Sequence, residues 1–254
     1  MRQSRDGVRR GLAEKGRGMV GAPILVFDLD GTLADTAGDL IATLGVLLER
    51  DGRAPVPLSA VRALAGAGAR AMIERGFAAT GAPLAPERVE ELFPVFIDHY
   101  RERIAVETRL FPGAEAALAR FAEAGFTLAV CTNKSEELAF LLLERLGVAE
   151  RFAAICGRDT FPVHKPDPRA LTLTIDKAGG RADRAVMIGD SQTDIATAKN
   201  AGVPVVAVDF GYTDIAVSSF GPDRVISHFD QLWQAVASLR ALEASTCTEA
   251  SPCT

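Results

Sequence analysis

The 254-residue chain predicts an α/β fold, a Rossmann-like parallel sheet core with an inserted α-helical cap. Three observations carry that expectation. Short apolar runs alternate with helix-periodic segments, the pattern of right-handed βαβ crossovers in a sheet covered on both faces. Between Leu33 and about Glu107, roughly 70 residues read as helix with no convincing strand, enough for a small domain. The polar residues of most interest each follow an apolar run directly, at the strand ends where such sheets bind ligands.

The first strand is Pro23-Ile24-Leu25-Val26-Phe27, β-branched and aromatic as a buried strand should be. Helical periodicity begins at Leu40, Ile41, Leu44, Leu47 and Leu48, and returns at Val61 to Leu64, Ala69 to Phe77 and Pro86 to Arg103. Alternation then starts. A helix from Ala114 to Ala124 ends at Gly125, and Phe126 to Cys131 is a strand. Ser135 opens a helix to Leu146, Ala153 to Cys156 is a short strand, and Pro168 to Ala178 is a helix. Strand Ala185 to Ile188, a helix to Asn200, strand Val203 to Val208, a short strand Arg224 to Ile226 and a helix from Asp230 to about Leu242 complete the series. The expected division is a core of residues 19–34 and 107–243, a cap of 35–106, a disordered N-terminal extension of 1–18 and a disordered tail of 244–254.

Composition narrows the function classes. Hydrophobic residues make up 48% and charged residues 24%, ordinary for a soluble globular protein, and the net charge of −5 argues against nucleic acid or membrane surfaces as partners. No apolar run approaches the roughly 20 residues of a membrane span. Cys131 and Cys156 lie in apolar runs as small buried thiols, and Cys247 and Cys253 fall in the polar tail. No CxxC spacing suggests zinc, and a reducing cytoplasm fits. The first 18 residues are rich in Arg and Gly and lack the apolar stretch of a signal peptide; Met19 is an alternative start.

Asp28-Leu29-Asp30-Gly31-Thr32 leaves the first strand. Side chains at i and i+2 of a strand share a face, so both acids aim at one place. Acids gathered there repel unless a cation holds them, and Mg²⁺, a hard ion, takes oxygen ligands. Asp30-Gly31 is also ordinary turn chemistry. Thr132-Asn133, after another strand, offers donors for phosphate oxygens or a plain helix cap. Lys165, in the stiff His164-Lys165-Pro166-Asp167-Pro168 loop, can neutralise a phosphoryl group or stand exposed. Asp190 ends the strand at Gly189, and Asp194 lies one helical turn on, able to reach back; N-capping would account for Asp190 but not for both.

Together these four segments resemble the haloacid dehalogenase-like superfamily of phosphohydrolases, in order and spacing, from about Ile24 to Leu242. The resemblance implies Asp28 as the nucleophile that forms an aspartyl-phosphate, and Asp30 as the acid that protonates the leaving oxygen and then activates water. It implies Thr132, Asn133 and Lys165 as phosphoryl-binding groups. It implies Mg²⁺ held by Asp28, the Asp30 backbone carbonyl and Asp190, with Asp194 in support. Dehalogenases of the superfamily do not need the second acid, so Asp30 favours phosphate esters. A phosphonate-cleaving member would need a cap lysine, and no Lys lies between Leu33 and Gly113.

Gly66-Ala67-Gly68-Ala69-Arg70 and Gly211-Tyr212-Thr213 resemble the phosphoglycolate phosphatase subgroup. Gly66 and Gly68 before a helix leave backbone N–H groups for a small carboxylate, and Arg70 could add a charge. A helix–helix turn with an exposed Arg70 is the plainer alternative. The expected substrate is therefore a small phosphorylated metabolite, most simply 2-phosphoglycolate, for a monomer or homodimer in the cytoplasm. Another small phosphomonoester, a phosphosugar mutase and a non-catalytic phosphate-binding protein are the alternatives.

Overall fold

The computed structural model describes residues 21–57, 60–66 and 68–239. The N-terminal extension, Ala67 and the C-terminal tail lie outside the described residues, and so do Cys247 and Cys253. Six parallel strands form one sheet in the order β5-β4-β1-β6-β7-β8. They are β1 (Ile24–Phe27), β4 (Thr127–Cys131), β5 (Ala154–Cys156), β6 (Ala185–Gly189), β7 (Val205–Val208) and β8 (Arg224–Ile226). Connecting helices are α5 (Ala114–Glu123), α6 (Glu136–Arg145), α7 (Pro168–Lys177), α8 (Gln192–Asn200) and α9, described over 232–239.

Strand alternation sorts the core into two layers. Leu25 and Phe27, Leu128 and Val130, Val186 and Ile188 face one apolar cluster; Ile24 and Val26, Ala129 and Cys131, Ala185 and Met187 face the other. All four residues of β1 are fully buried, because β4 and β6 flank it in register and helices cover both faces. This is why β1 reads as an unbroken apolar run rather than an alternating one. Cys131 and Cys156 are free, buried and opposite one another across β4 and β5.

Between β1 and β4 the chain makes a helical block: α1 (Ala37–Arg50), α2 (Val61–Ala65), α3 (Ala69–Thr80) and α4 (Pro86–Glu102). Pro86 sits at the start of α4, where its missing N–H costs nothing. Leu44, Phe77, Phe96 and Tyr100 join the cluster that includes Phe27 and Leu29, so one apolar core runs from a sheet face into the block.

Three features were not expected. The chain enters and leaves the block through a small antiparallel ribbon, β2 (Ala34–Asp35) with β3 (Arg109–Leu110). Pairs this short have no periodicity to read. Several strands also start later than predicted, at Thr127, Ala154 and Val205. Of the leading apolar residues, Val203 is buried and Phe126 and Ala153 half-buried in the approach to the strand rather than in its ladder. Asp230, expected to open the last helix, lies in a 3₁₀ turn at Phe229–Gln231 before it.

Candidate active site

Asp28 extends β1 by one hydrogen bond, its N–H donating to the Ile188 carbonyl at 2.9 Å. Pairing then ends and the chain turns back: the N–H groups of Thr32, Leu33 and Ala34 all point to the Leu29 carbonyl, at 3.3, 3.0 and 3.0 Å. The expectation that strand alternation would aim Asp28 and Asp30 alike is therefore corrected. The ladder is over before Asp30, and the turn sends the two carboxylates to different partners.

Asp28 faces Lys165, Asp190 and Asp194. One carboxylate oxygen from each of the three acids lies within 4.8 Å of the others. Lys165 Nζ stands 2.8 Å from Asp28 Oδ1 and 2.6 Å from Asp194 Oδ1. The Asp190 oxygens accept from Thr32 Oγ1 and from the Tyr212 N–H, both at 2.9 Å. Asp194 is not a spare acid. With Ser191 it makes the capping box of α8, its Oδ2 accepting from Ser191 Oγ at 2.6 Å. Ser191, not Asp190, is the helix cap, which leaves Asp190 free for the cluster.

The site is close-packed around Asp190. Gly31 has φ +80°, and a Cβ there would lie 2.6 Å from Asp190 Oδ2; a Cβ on Gly211 would overlap the same side chain. Both glycines are needed for the acid to fit.

Electrostatics leave the cluster short of positive charge. Burial, with the Asp194 charge adding and Lys165 opposing, pushes the Asp28 carboxyl up to about 6. Burial together with Asp194 and Asp28 pushes Asp190 up to about 7. Burial alone would lower the Lys165 ammonium, but Asp194 and Asp28 outweigh it and raise it. Asp28 Oδ1 is buried without a directed hydrogen bond, since Lys165 meets it at ion-pair distance only. An orphaned carboxylate oxygen among all-oxygen donors fits a hard divalent cation, so Asp28, Asp190 and Asp194 can hold a metal. The Asp30 carboxylate is not in this group.

Asp30 instead meets a lysine that the sequence reading passed over. Lys134 Nζ lies 2.9 and 3.1 Å from the two Asp30 oxygens. Thr132, buried, accepts the Lys134 N–H at 3.2 Å, and Asn133 Nδ2 donates to the Lys165 carbonyl at 3.0 Å. The segment 132–134 thus ties both lysines to the acids. Its signal was present: Lys134 directly follows the Thr132-Asn133 pair at the end of β4.

The helical block reaches this end of the sheet. A Cβ on Gly66 would stand 3.1 Å from Tyr212 Cβ, and Gly68, at φ +81°, opens α3. Arg70 is exposed, the plainer of its two expected settings. It is not a free guanidinium: Nε and Nη2 bond Glu90 at 2.7 and 3.1 Å, and its plane stacks 3.7 Å from the Phe93 ring centroid. An acid and an aromatic on the neighbouring helix satisfy it first. Tyr212 is the other residue whose role was missed. Its hydroxyl accepts from the N–H groups of Thr36 and Ala37 at 2.5 and 2.9 Å and donates to Asp35 at 2.7 Å.

Comparison with known proteins agrees with this geometry. The model of the haloacid dehalogenase-like hydrolase family matches residues 25–208. The phosphoglycolate phosphatase of Mesorhizobium japonicum is 53% identical over 210 residues, covering 83% of this chain and 92% of that one. The phosphoglycolate phosphatase of Caulobacter vibrioides is 47% identical over 205 residues, 81% and 86% of the two chains. Among solved structures, a predicted phosphoglycolate phosphatase from Haemophilus somnus 129pt superposes with a TM-score of 0.77 at 26% identity, covering 85% of this chain and 99% of that one. CbbY from Rhodobacter sphaeroides, solved in complex with phosphate, gives 0.68 at 25% identity over 83% and 96%. The chain belongs to the haloacid dehalogenase-like hydrolase family and is a phosphatase of its phosphoglycolate phosphatase-like group.

Proposed function

We propose that this protein hydrolyses 2-phosphoglycolate to glycolate and phosphate, with Mg²⁺, through a phosphoryl group carried on Asp28. The observation that carries the reading is Asp28 itself: a buried carboxylate, one oxygen without a directed partner, between Lys165 and the Asp190–Asp194 pair. The substrate follows from the relatives at 53% and 47% identity.

The chemistry needs in-line positioning and charge neutralisation more than bond-making machinery. An Asp28 oxygen attacks phosphorus, and the bond to the glycolate oxygen breaks as Asp30 gives that oxygen its proton. Asp30 then takes a proton from water, which attacks phosphorus and frees phosphate and the Asp28 carboxylate. Thr132, Asn133 and Lys165 hold the phosphoryl oxygens. Asp28, Asp190, Asp194 and the Asp30 backbone carbonyl would hold Mg²⁺, which supplies neutralising charge to the phosphoryl group. Residues 35–106 act as a cap that closes over this end of the sheet and limits water. Gly66 and Gly68 shape the seam between cap and core, whereas Arg70, committed to Glu90, is assigned no substrate contact. A cytoplasmic monomer or homodimer that binds neither membrane nor nucleic acid suits such a substrate. Among the described residues no helix is long and apolar enough to cross a membrane.

The test is a panel of phosphoglycolate, phosphosugars, nucleoside monophosphates and pyrophosphate, with rapid quenching of the preferred substrate. Phosphoglycolate should give the highest kcat/KM, and phosphate should be trapped on Asp28. Asp28→Asn should fold and trap none. Turnover by pure Asp28→Asn, or a preference for another ester, overturns the corresponding half of the reading.

A further inference from the structure

The Lys134 ammonium is 7% exposed and has three donors. Asp30 takes contacts at 2.9 and 3.1 Å, and the Tyr100 ring centroid lies 4.7 Å away. Tyr100 comes from α4, across the seam between the helical block and the sheet. It is 1% exposed, yet its hydroxyl has no directed hydrogen-bond partner. A buried hydroxyl without a partner is destabilising. Burial, opposed by Lys134, pushes that hydroxyl up to about 12, so it remains a donor. The Lys134 ammonium and a buried hydroxyl that meets no directed hydrogen bond, and that interacts with that ammonium, therefore lie together beside Asp30.

Position gives the pair a meaning. Asp30 must touch the ester oxygen of the substrate, and in phosphoglycolate a single carbon separates that oxygen from the carboxylate. A carboxylate so placed lies within reach of groups that contact Asp30. Two other cations near the site already have carboxylate partners: Lys165 pairs with Asp28 and Asp194, and Arg70 with Glu90. We propose that Lys134 and the Tyr100 hydroxyl together bind the substrate carboxylate, selecting small phosphomonoesters with a carboxylate next to the ester carbon. The core gives the charge and the helical block gives the hydroxyl, so the subsite is complete only when the two are packed together. This inference rests on the phosphatase reading and specifies its substrate class.

The experiment compares 2-phosphoglycolate with ethyl phosphate, the same ester without the carboxylate, in the Mg²⁺-loaded full-length protein. The ratio of the two kcat/KM values is the readout. In Tyr100→Phe that ratio should fall about tenfold to a hundredfold, the usual effect of one charge-assisted hydrogen bond. Lys134→Met should slow both substrates, because Asp30 loses its partner, and lower the ratio at least as far. The ratio of inhibition constants for 3-phosphonopropionate and propylphosphonate should collapse in parallel, without any turnover. Tyr100→Phe removes only a hydroxyl without a directed hydrogen bond, so it should fold and melt no lower than the parent. An unchanged ratio in Tyr100→Phe, with the parent preferring phosphoglycolate, overturns the subsite alone. A parent that does not prefer phosphoglycolate overturns the substrate reading and the subsite with it.

Discussion

Asp190 is held by Thr32, Tyr212 and two close glycines in a place where its charge is poorly matched. Three buried carboxylates gather with a lysine that pairs with only two of them, Asp28 and Asp194, and a repulsive cluster of that kind is tolerated for what it binds. Asp190→Asn tests the trade. An amide can accept from the Tyr212 N–H and donate to Thr32 Oγ1, so packing survives. The metal-free variant should be more stable than the parent at pH 7.5 by about 1–2 kcal/mol, and nearly inactive. Urea unfolding in chelator checks the first half and a Mg²⁺ titration of rate the second; a less stable variant would sink the idea. At this scale the sequence was informative about acids and less so about their partners. Asp28 and Asp190 were marked because each ends a strand, Asp194 because it lies one helical turn beyond Asp190, and Lys165 because it sits in a stiff loop. Tyr100 could not be marked, because its place beside Lys134 is set by how α4 folds back, which no local pattern encodes.

The β2–β3 ribbon carries the chain into and out of the helical block, and two side chains, one at each end, fasten it. Tyr212, from the loop after β7, holds the Asp35–Ala37 entry by its hydroxyl and Asp190 by its backbone N–H. Asp39 in α1 clasps the exit, accepting from Glu107 and Thr108 N–H and from Thr108 Oγ1 at 2.7–3.1 Å. Tyr212→Phe removes the entry clasp and spares the N–H to Asp190. Two backbone N–H groups lose an acceptor, so unfolding should become easier by about 1–3 kcal/mol. The Mg²⁺ needed for half-maximal rate should stay within about twofold, while kcat falls as block and sheet lose their fixed relation. A large shift in Mg²⁺ demand with unchanged stability would place Tyr212 at the metal alone. Long elements were legible here because α1, α3 and α4 repeat apolar residues over several turns. The ribbon was not, since pairing Ala34 with Leu110 is a fact of tertiary structure.

Across the whole molecule, the sheet order puts β1 between β4 and β6, with the chain winding outward in both directions from there. That switch point opens a crevice at the C-terminal strand ends, and it receives Asp28 from β1, Thr132 to Lys134 after β4, and Asp190 after β6. Fold and charge are thereby linked: the elements that make the crevice also force acids together. The consequence is a pH dependence of stability whose sign can be worked out. Asp28 and Asp190 are raised from 3.8 to about 6 and about 7 in the folded protein. Between the unfolded and folded values the native state holds more protons, so the metal-free protein should lose stability as pH rises through that window. Below it these two groups contribute no slope. Mg²⁺ competes with those protons, so its stabilisation should grow as they leave. At a hundred times its dissociation constant an ion bound only to the native state adds about 2.7 kcal/mol, or roughly 5–10 °C in Tm for a protein of this size. Thermal unfolding with chelator and with saturating Mg²⁺ should therefore show a gap of about that size at pH 8, a much smaller one at pH 5, and almost none in Asp190→Asn. Equal gaps at both pH values would mean that the ion is held by groups other than these acids.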